Sequence, residues 1–157
     1  GFESAVAHGW SPTHSWDSSA RVLEDIRAGR AAWLASQLAM DSSVKGLKIE
    51  RHWIESDGFA GVLDLRWSPR RRLPSNVNGH VGYAVVPWRR GVGCATRALE
   101  LAVARAGRVA GLDVVEVTCD FDNEASRRAI EKCGGVPVGF KNGTLRFEIA
   151  VGDLDGR

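Results

Sequence analysis

A glycine-rich stretch near the middle of the chain has the residue types and the spacing of an anion-binding turn. It reads R-G-V-G-C-A over residues 90–95 and stands directly before an amphipathic helical pattern. The first N–H groups of a helix have no partner within the helix, and the helix dipole adds partial positive charge there. Because glycine also lets a backbone approach a phosphate closely, the stretch predicts a ligand that carries phosphate groups.

Two common phosphate-binding motifs do not fit this stretch. The chain has no G-x-x-x-x-G-K-[ST], which excludes a P-loop. The dinucleotide fingerprint G-x-G-x-x-G is also incomplete, because Gly91 and Gly93 are followed by Thr96 where a third glycine is required. The pattern that remains is R-x-x-G-x-A, formed by Arg90, Gly93 and Ala95 after a strand and a proline.

The elements around the stretch strengthen this prediction. A strand pattern at His80–Val86 precedes it, and a helix over Cys94–Val109 follows, with apolar residues at i, i+3 and i+4 spacing. A buried strand at Asp113–Asp120 and a second helix at Glu124–Cys133 come next, and Asn123 can cap that helix. The order of these elements, rather than the glycines alone, carries the functional prediction.

The rest of the chain adds strands and helices on either side. Further strands are predicted at Val136–Phe140, Thr144–Val151, Leu47–Ile54 and Phe59–Trp67. From about Ala20 to Leu38, apolar residues fit one or two amphipathic helices that break near Gly29. Residues 1–16 show no clear periodicity and are expected to be irregular, and the initial Gly1 is compatible with an added or processed start. We expect residues 1–157 to form a single domain.

The motifs and the order of elements resemble the GNAT superfamily of N-acyltransferases over about residues 53–151. The pyrophosphate loop of that family reads [QR]-x-x-G-x-[GA], and its helix motif N-x-x-[AS]…E-K-x-G-[FG] is similar to residues 123–126 and 131–135. G-H-V-G-Y at residues 79–83 and T-C-D-F-D-N at residues 118–123 are similar to a group of predicted acetyltransferases with poorly defined acceptors. The resemblance implies one GNAT acyltransferase domain of the α+β class, in three α/β layers. Its central sheet would be mixed and mostly antiparallel, flanked by helices, with a splay between the two central strands.

The resemblance implies an acetyl-CoA-dependent N-acetyltransferase. The acetyl group would pass directly to an amine acceptor, either a small-molecule amine or an amine of a peptide or protein, and no metal is implied. A non-catalytic CoA-binding or interaction module of the same fold is the alternative, because a fold does not fix a function. The residues expected to bind the cofactor are Val85, Arg90, Gly91, Val92, Gly93, Cys94, Ala95, Thr96, Asn123 and Ser126. Further candidates for a CoA phosphate are Arg89, Arg127 and Arg128.

Three residues are expected to take part in catalysis. In the family, a backbone N–H of the strand before the loop donates to the oxyanion, and here this corresponds to Val85. His80 stands where many GNAT sequences carry a catalytic Glu, and it is the first candidate base because imidazole titrates near neutral pH. A hydrogen-bonded structural histidine is the alternative interpretation. Asp120, at the carboxyl end of its strand, is the second candidate base, ahead of Glu116 and Asp64.

The general acid is where the chain departs from the family. Many members carry a Tyr seven residues after the Asn of the last helix, and here that position is Ile130. Cys119, Cys133, Ser126 or a water could protonate the leaving thiolate instead, and a thiolate leaves well enough to need no acid. The single tyrosine, Tyr83, is expected to be an aromatic core residue.

Composition narrows the remaining interpretations. The chain of 157 residues has 44% hydrophobic and 25% charged residues, which is typical of a globular protein. Its net charge of +2 is too small to indicate nucleic acid, although Arg66 with Arg70–Arg72 keeps that hypothesis open. The three cysteines have an irregular spacing, which favours free thiols. The sequence shows no apolar run of membrane length and no visible signal peptide, and we therefore expect a cytoplasmic location. No membrane partner is expected, and a homodimer is compatible with the family.

Overall fold

The computed structural model describes residues 1–12, 18–38, 46–70 and 72–154. Its helices are α1 (Phe2–Ala7), α2 (Ser19–Leu38), α3 (Cys94–Ala110) and α4 (Glu124–Lys132). Its strands are β1 (Lys48–Glu55), β2 (Phe59–Trp67), β3 (Val81–Val85), β4 (Val114–Asp120), β5 (Val136–Lys141) and β6 (Thr144–Ala150). Short 3₁₀ turns follow β3 at Pro87–Arg89 and β6 at Val151–Leu154.

The strands form one six-stranded sheet between two layers of helices. Their order is β1-β2-β3-β4-β6-β5, and each neighbouring pair is antiparallel except β3–β4. Residues of β2 contribute to two apolar clusters, so that Val62 packs with α1 and α2, whereas Leu63 and Leu65 pack with α3 and α4. Burial of these side chains on both faces is the main contribution to stability. The three-layer α+β arrangement confirms the predicted fold class.

The two central strands diverge soon after they pair. β2 pairs with β3 from Val81 to Val85, but the register between β3 and β4 has one pair of Cα partners, Val81 and Val117. A further hydrogen bond, from the His80 N–H to the Glu116 C=O at 2.7 Å, joins the two strands beside this pair. Beyond it the sheet opens toward the carboxyl ends of both strands, which confirms the predicted splay.

The structure corrects the prediction for the first residues. Residues Phe2–Ala7 form α1 rather than an irregular segment, and Phe2, Ala5 and Val6 are buried. A helix of six residues is too short for a periodicity to be recognised, and its stability comes from packing rather than from local propensity. The predicted break in the second helix is confirmed at Gly29, where φ is −176° and ψ is 85°. Within the described ranges, no helix is both long and apolar enough to span a bilayer.

Candidate active site

The turn between β3 and α3 has the backbone geometry of an anion site. Gly91 and Gly93 are in the left-handed region, with φ of 77° and 87°, which few other residues adopt without strain. Gly93 is the N-cap of α3, and no described side chain accepts a hydrogen bond from the first turn of that helix. The N–H groups at this helix start are therefore available to an anion, together with the positive end of the helix dipole.

A cavity of 570 Å³ lies between this turn, α3 and α4. Nine of the ten predicted cofactor residues line it, namely Val85, Arg90, Gly91, Gly93, Cys94, Ala95, Thr96, Asn123 and Ser126. The tenth, Val92, is largely exposed and lines a neighbouring groove between β1 and α3. The fold thus brings the glycine turn, the end of β3 and the start of α4 to one place, at the open end of the splay.

The wall of this cavity carries positive charge. Arg89, Arg90, Arg128 and Lys132 all line it, and none of the described lining residues is acidic. The Arg90 Nε donates to the Val85 C=O at 3.1 Å, which ties the turn to the end of β3. Lys132 was not predicted, although its spacing of four residues from Arg128 places both on one face of α4. Such a wall is complementary to phosphate groups.

The end of β3 directs a backbone donor into the opening. The Val86 N–H donates to the Ala60 C=O of β2 at 2.9 Å. Because successive peptide groups of a strand face opposite edges, the Val85 N–H faces the β4 side, where the two strands have separated. A backbone N–H that is held at this edge by the ladder to β2 is suited to stabilise an oxyanion.

His80 lies at the closed end of the splay and is not among the residues that line the cavity. Its Nδ1 accepts a hydrogen bond from the Glu116 backbone N–H at 2.9 Å. In the neutral ring Nδ1 is then the acceptor, and Nε2 carries the proton. Burial, followed by the positive charge of Arg66, lowers the pKa of His80. This geometry favours the structural interpretation, in which His80 joins β3 to β4, and the base role stays a prediction.

The candidate carboxylates occupy different surroundings. Asp64 accepts two hydrogen bonds from the Arg51 guanidinium, at 2.7 and 2.8 Å. Glu116 lies 3.6 Å from the Arg146 guanidinium. Asp120 is exposed at the carboxyl end of β4 and, like His80, is not among the residues that line the cavity. Asp64 and Glu116 therefore belong to ion pairs, whereas Asp120 is exposed to solvent.

The start of α4 has the predicted cap. The Asn123 Oδ1 accepts from the Ser126 N–H at 3.1 Å, which satisfies one donor of the first turn.

Both cysteines considered as acids are buried, and the Cys133 Sγ lies 3.5 Å from the Thr96 C=O. Burial is the main influence on the Cys119 thiol and raises its pKa, so this thiol is a poor source of thiolate.

Tyr83 differs from its prediction as a simple core residue. Its ring packs against the core, but its hydroxyl lies 2.7 Å from the Ser126 Oγ, and both residues line the cavity. Burial raises the pKa of Tyr83 to about 12, so the phenol stays protonated. Ile130, by contrast, is fully buried, as its place on the apolar face of α4 predicts. Side chains alternate between the two faces of a strand, so Tyr83 and Val85 lie on the same face of β3. This alternation could have predicted that the phenol lies near the cavity.

Comparison with protein families identifies the chain. A family model described as an acetyltransferase (GNAT) domain matches residues 5–136. The chain belongs to the GNAT acetyltransferase family. The matched region includes the glycine turn, both central strands and α4, and the family predicted from the motifs is confirmed. No curated protein sequence matches this chain.

Solved structures share the fold at low sequence identity. RimJ from Mycobacterium smegmatis, in complex with CoA-disulfide, is 22% identical with a TM-score of 0.64, over 97% of this chain and 75% of that one. A mutant of the spermidine/spermine N-acetyltransferase SpeG from Vibrio cholerae is 15% identical with a TM-score of 0.58, over 99% and 90%. The microcin C7 self-immunity acetyltransferase MccE, in complex with acetyl-CoA and AMP, is 13% identical with a TM-score of 0.56, over 95% and 84%. At these identities the similarity establishes the fold alone.

Proposed function

We propose that this GNAT protein transfers the acetyl group of acetyl-CoA to an amine. The observation that carries the proposal is the cationic cavity at the open end of the splay, where the glycine turn, the end of β3 and the start of α4 meet. Membership of an acetyltransferase family supports acetyl as the group that is transferred. The complexes of RimJ with CoA-disulfide and of MccE with acetyl-CoA support the choice of cofactor.

The cavity suits the successive parts of CoA. The N–H groups of the glycine turn and the dipole of α3 would bind the pyrophosphate. Arg128 and Lys132, on one face of α4, are suited to a further phosphate group. The pantetheine amides would pair with the open edges of β3 and β4 in the manner of a short added strand. The thioester carbonyl would then come close to the Val85 N–H.

The reaction requires an oxyanion donor and a proton acceptor. The amine nitrogen attacks the thioester carbon, and the Val85 N–H would stabilise the charge that develops on the carbonyl oxygen. The C–S bond then breaks, its electron pair leaves with sulfur, and the proton released by the amine balances the CoA thiolate. Asp120, exposed at the carboxyl end of β4, would accept the amine proton directly or through a water. His80 ranks after Asp120 as a candidate base, because its Nδ1 already accepts a hydrogen bond from the Glu116 backbone N–H.

A non-catalytic CoA-binding module is the second candidate function. It is favoured by Ile130, a core residue, at the position where many family members carry a tyrosine. The nucleic-acid hypothesis has less support. Arg66 is half-buried and donates to the Asn78 C=O at 3.4 Å, so it is not part of an exposed basic surface, and Arg71 lies outside the described residues.

Release of the CoA thiol from acetyl-CoA, measured with a panel of amines, tests the proposal. The panel contains spermidine, since SpeG is named as a spermidine/spermine N-acetyltransferase, and peptides with a free N-terminus or a lysine. We expect thiol release that depends on the amine, with the acetylated amine detected by mass spectrometry. CoA binding without turnover across the panel would favour the non-catalytic module. Absence of CoA binding would contradict both.

A further inference from the structure

A pair of hydroxyl groups connects the two sides of the open sheet. Tyr83 stands on β3, whereas Ser126 stands on α4, the helix that follows β4. The Tyr83 hydroxyl lies 2.7 Å from the Ser126 Oγ and 3.4 Å from the Ser126 C=O. Both residues line the cavity. The bond therefore lies where the thioester end of an acyl-CoA would enter the splay.

The phenol is suited to be the donor of this pair. Because burial raises the pKa of Tyr83 to about 12, its hydroxyl keeps its proton throughout the usual pH range. Two acceptors within its reach belong to Ser126, the Oγ and the C=O. When Tyr83 donates to the Ser126 Oγ, the proton of the serine hydroxyl turns toward another acceptor. In that arrangement the tyrosine sets the direction in which Ser126 donates.

Ser126 and Val85 line the same cavity. In the proposed function the thioester carbonyl comes close to the Val85 N–H, so the sulfur bonded to that carbonyl carbon would lie in the same part of the cavity. Sulfur is a weak acceptor in a neutral thiol and a stronger one as a thiolate. The Ser126 hydroxyl is then a candidate donor to the sulfur of CoA.

We propose that Tyr83 is a positioning residue that orients the Ser126 hydroxyl toward the sulfur of CoA. This inference rests on the proposed function. As the C–S bond breaks and its electron pair leaves with sulfur, the Ser126 hydroxyl donates a hydrogen bond to the thiolate, and the proton released by the amine restores the thiol. Tyr83 does not touch the sulfur and acts through Ser126. Tyr83 of β3 thereby supports the departure of the CoA thiolate. Ile130, at the position on α4 where many family members carry a tyrosine, is buried in the core.

The equilibrium test compares CoA with desulfo-CoA and needs no acceptor. Affinities are measured by calorimetry at about pH 9, where much of a CoA thiol with an ordinary pKa is ionised. We expect wild type to prefer CoA, Tyr83→Phe to lose about fivefold of that preference, and Ser126→Ala to lose it entirely. Ile130→Val, on the same helix, is the control and should keep the wild-type preference. An unchanged preference in Tyr83→Phe overturns the inference. If wild type binds neither compound, the proposed function fails, and the inference fails with it.

A double-mutant cycle separates positioning from general packing. Tyr83→Phe keeps the ring and removes one oxygen, so thermal unfolding should show a folded protein. Its kcat should fall about tenfold with little change in the KM for acetyl-CoA. In a Ser126→Ala background the same change should alter kcat by less than about twofold, because the group through which Tyr83 acts is absent. Hydrolysis of acetyl-CoA by water provides the rate if no amine of the panel is accepted. A full tenfold loss in both backgrounds would show that Tyr83 acts independently of Ser126 and would overturn the inference.

Discussion

The contact between His80 and the Glu116 backbone predicts different outcomes for two substitutions. His80→Ala leaves the Glu116 N–H without its side-chain acceptor, and loss of such a partner costs about 1–3 kcal/mol of unfolding free energy. His80→Gln retains an acceptor oxygen of similar reach and should cost less than about 1 kcal/mol. Since 1 kcal/mol corresponds to about 2–4 °C in a domain of this size, the alanine variant should melt several degrees lower.

The lowered pKa of His80 adds a dependence on pH. The folded ring is harder to protonate than the unfolded one, whose pKa is 6.5, so the unfolded state binds more protons as the pH falls. The contribution of His80 to stability is therefore complete above about pH 6.5 and is lost as the pH falls toward the folded pKa. The loss is at most about 1.4 kcal/mol per pH unit. Wild type should lose stability relative to His80→Gln in this acidic window.

Denaturant unfolding between about pH 5 and 8 measures these stabilities, and acetyl-CoA turnover measures the chemistry. We expect His80→Gln to keep most of the wild-type turnover and the same pH profile. The reasoning is refuted if a folded His80→Gln protein loses about 100-fold in turnover together with the rise in rate through the imidazole titration. In that case His80 is the general base, as its place in the family motif suggests.

Three further substitutions address other parts of the site. Asp120→Asn should lower turnover about 100-fold without changing acetyl-CoA affinity, and a normal rate would remove Asp120 as the base. Ile130→Val should cost about 0.5–1.5 kcal/mol in denaturant unfolding and leave the turnover of the folded protein intact; a large fall in rate without destabilisation would contradict its structural role. Asn123→Ala removes the acceptor of the Ser126 N–H and should cost about 1 kcal/mol, whereas an unchanged melting temperature would contradict the capping role.

Local patterns were sufficient for the elements that hold the glycine turn. The helical periodicity predicted α3 over Cys94–Val109, and the helix ends one residue later at Ala110. The dinucleotide fingerprint was excluded by a single position, Thr96, and the P-loop by the absence of its motif. The type and order of these elements follow from contacts between residues that are close in the chain. The spacing of apolar residues in the sequence is therefore sufficient to predict them.

Long-range pairing decided what the sequence could not predict. Whether His80 faces the cavity or closes the sheet depends on where β3 stops pairing with β4, and no local pattern encodes that point. Tyr83 resembled a core residue because its partner, Ser126, lies 43 residues further along the chain. The short helix Phe2–Ala7 likewise depends on packing against distant strands rather than on its own six residues.

The central claim is that the backbone of the glycine turn binds acetyl-CoA, and calorimetry on Gly93→Val tests it most directly. The substitution puts a branched side chain at φ 87°, into open space where the pyrophosphate would approach. Gly9→Val is the matched control, because Gly9 has φ 81° and equally open surroundings but follows α1. We predict that wild type and the control bind acetyl-CoA, while a folded Gly93→Val protein binds it at least about 100-fold more weakly. Equal affinity in a folded Gly93→Val protein would contradict the account.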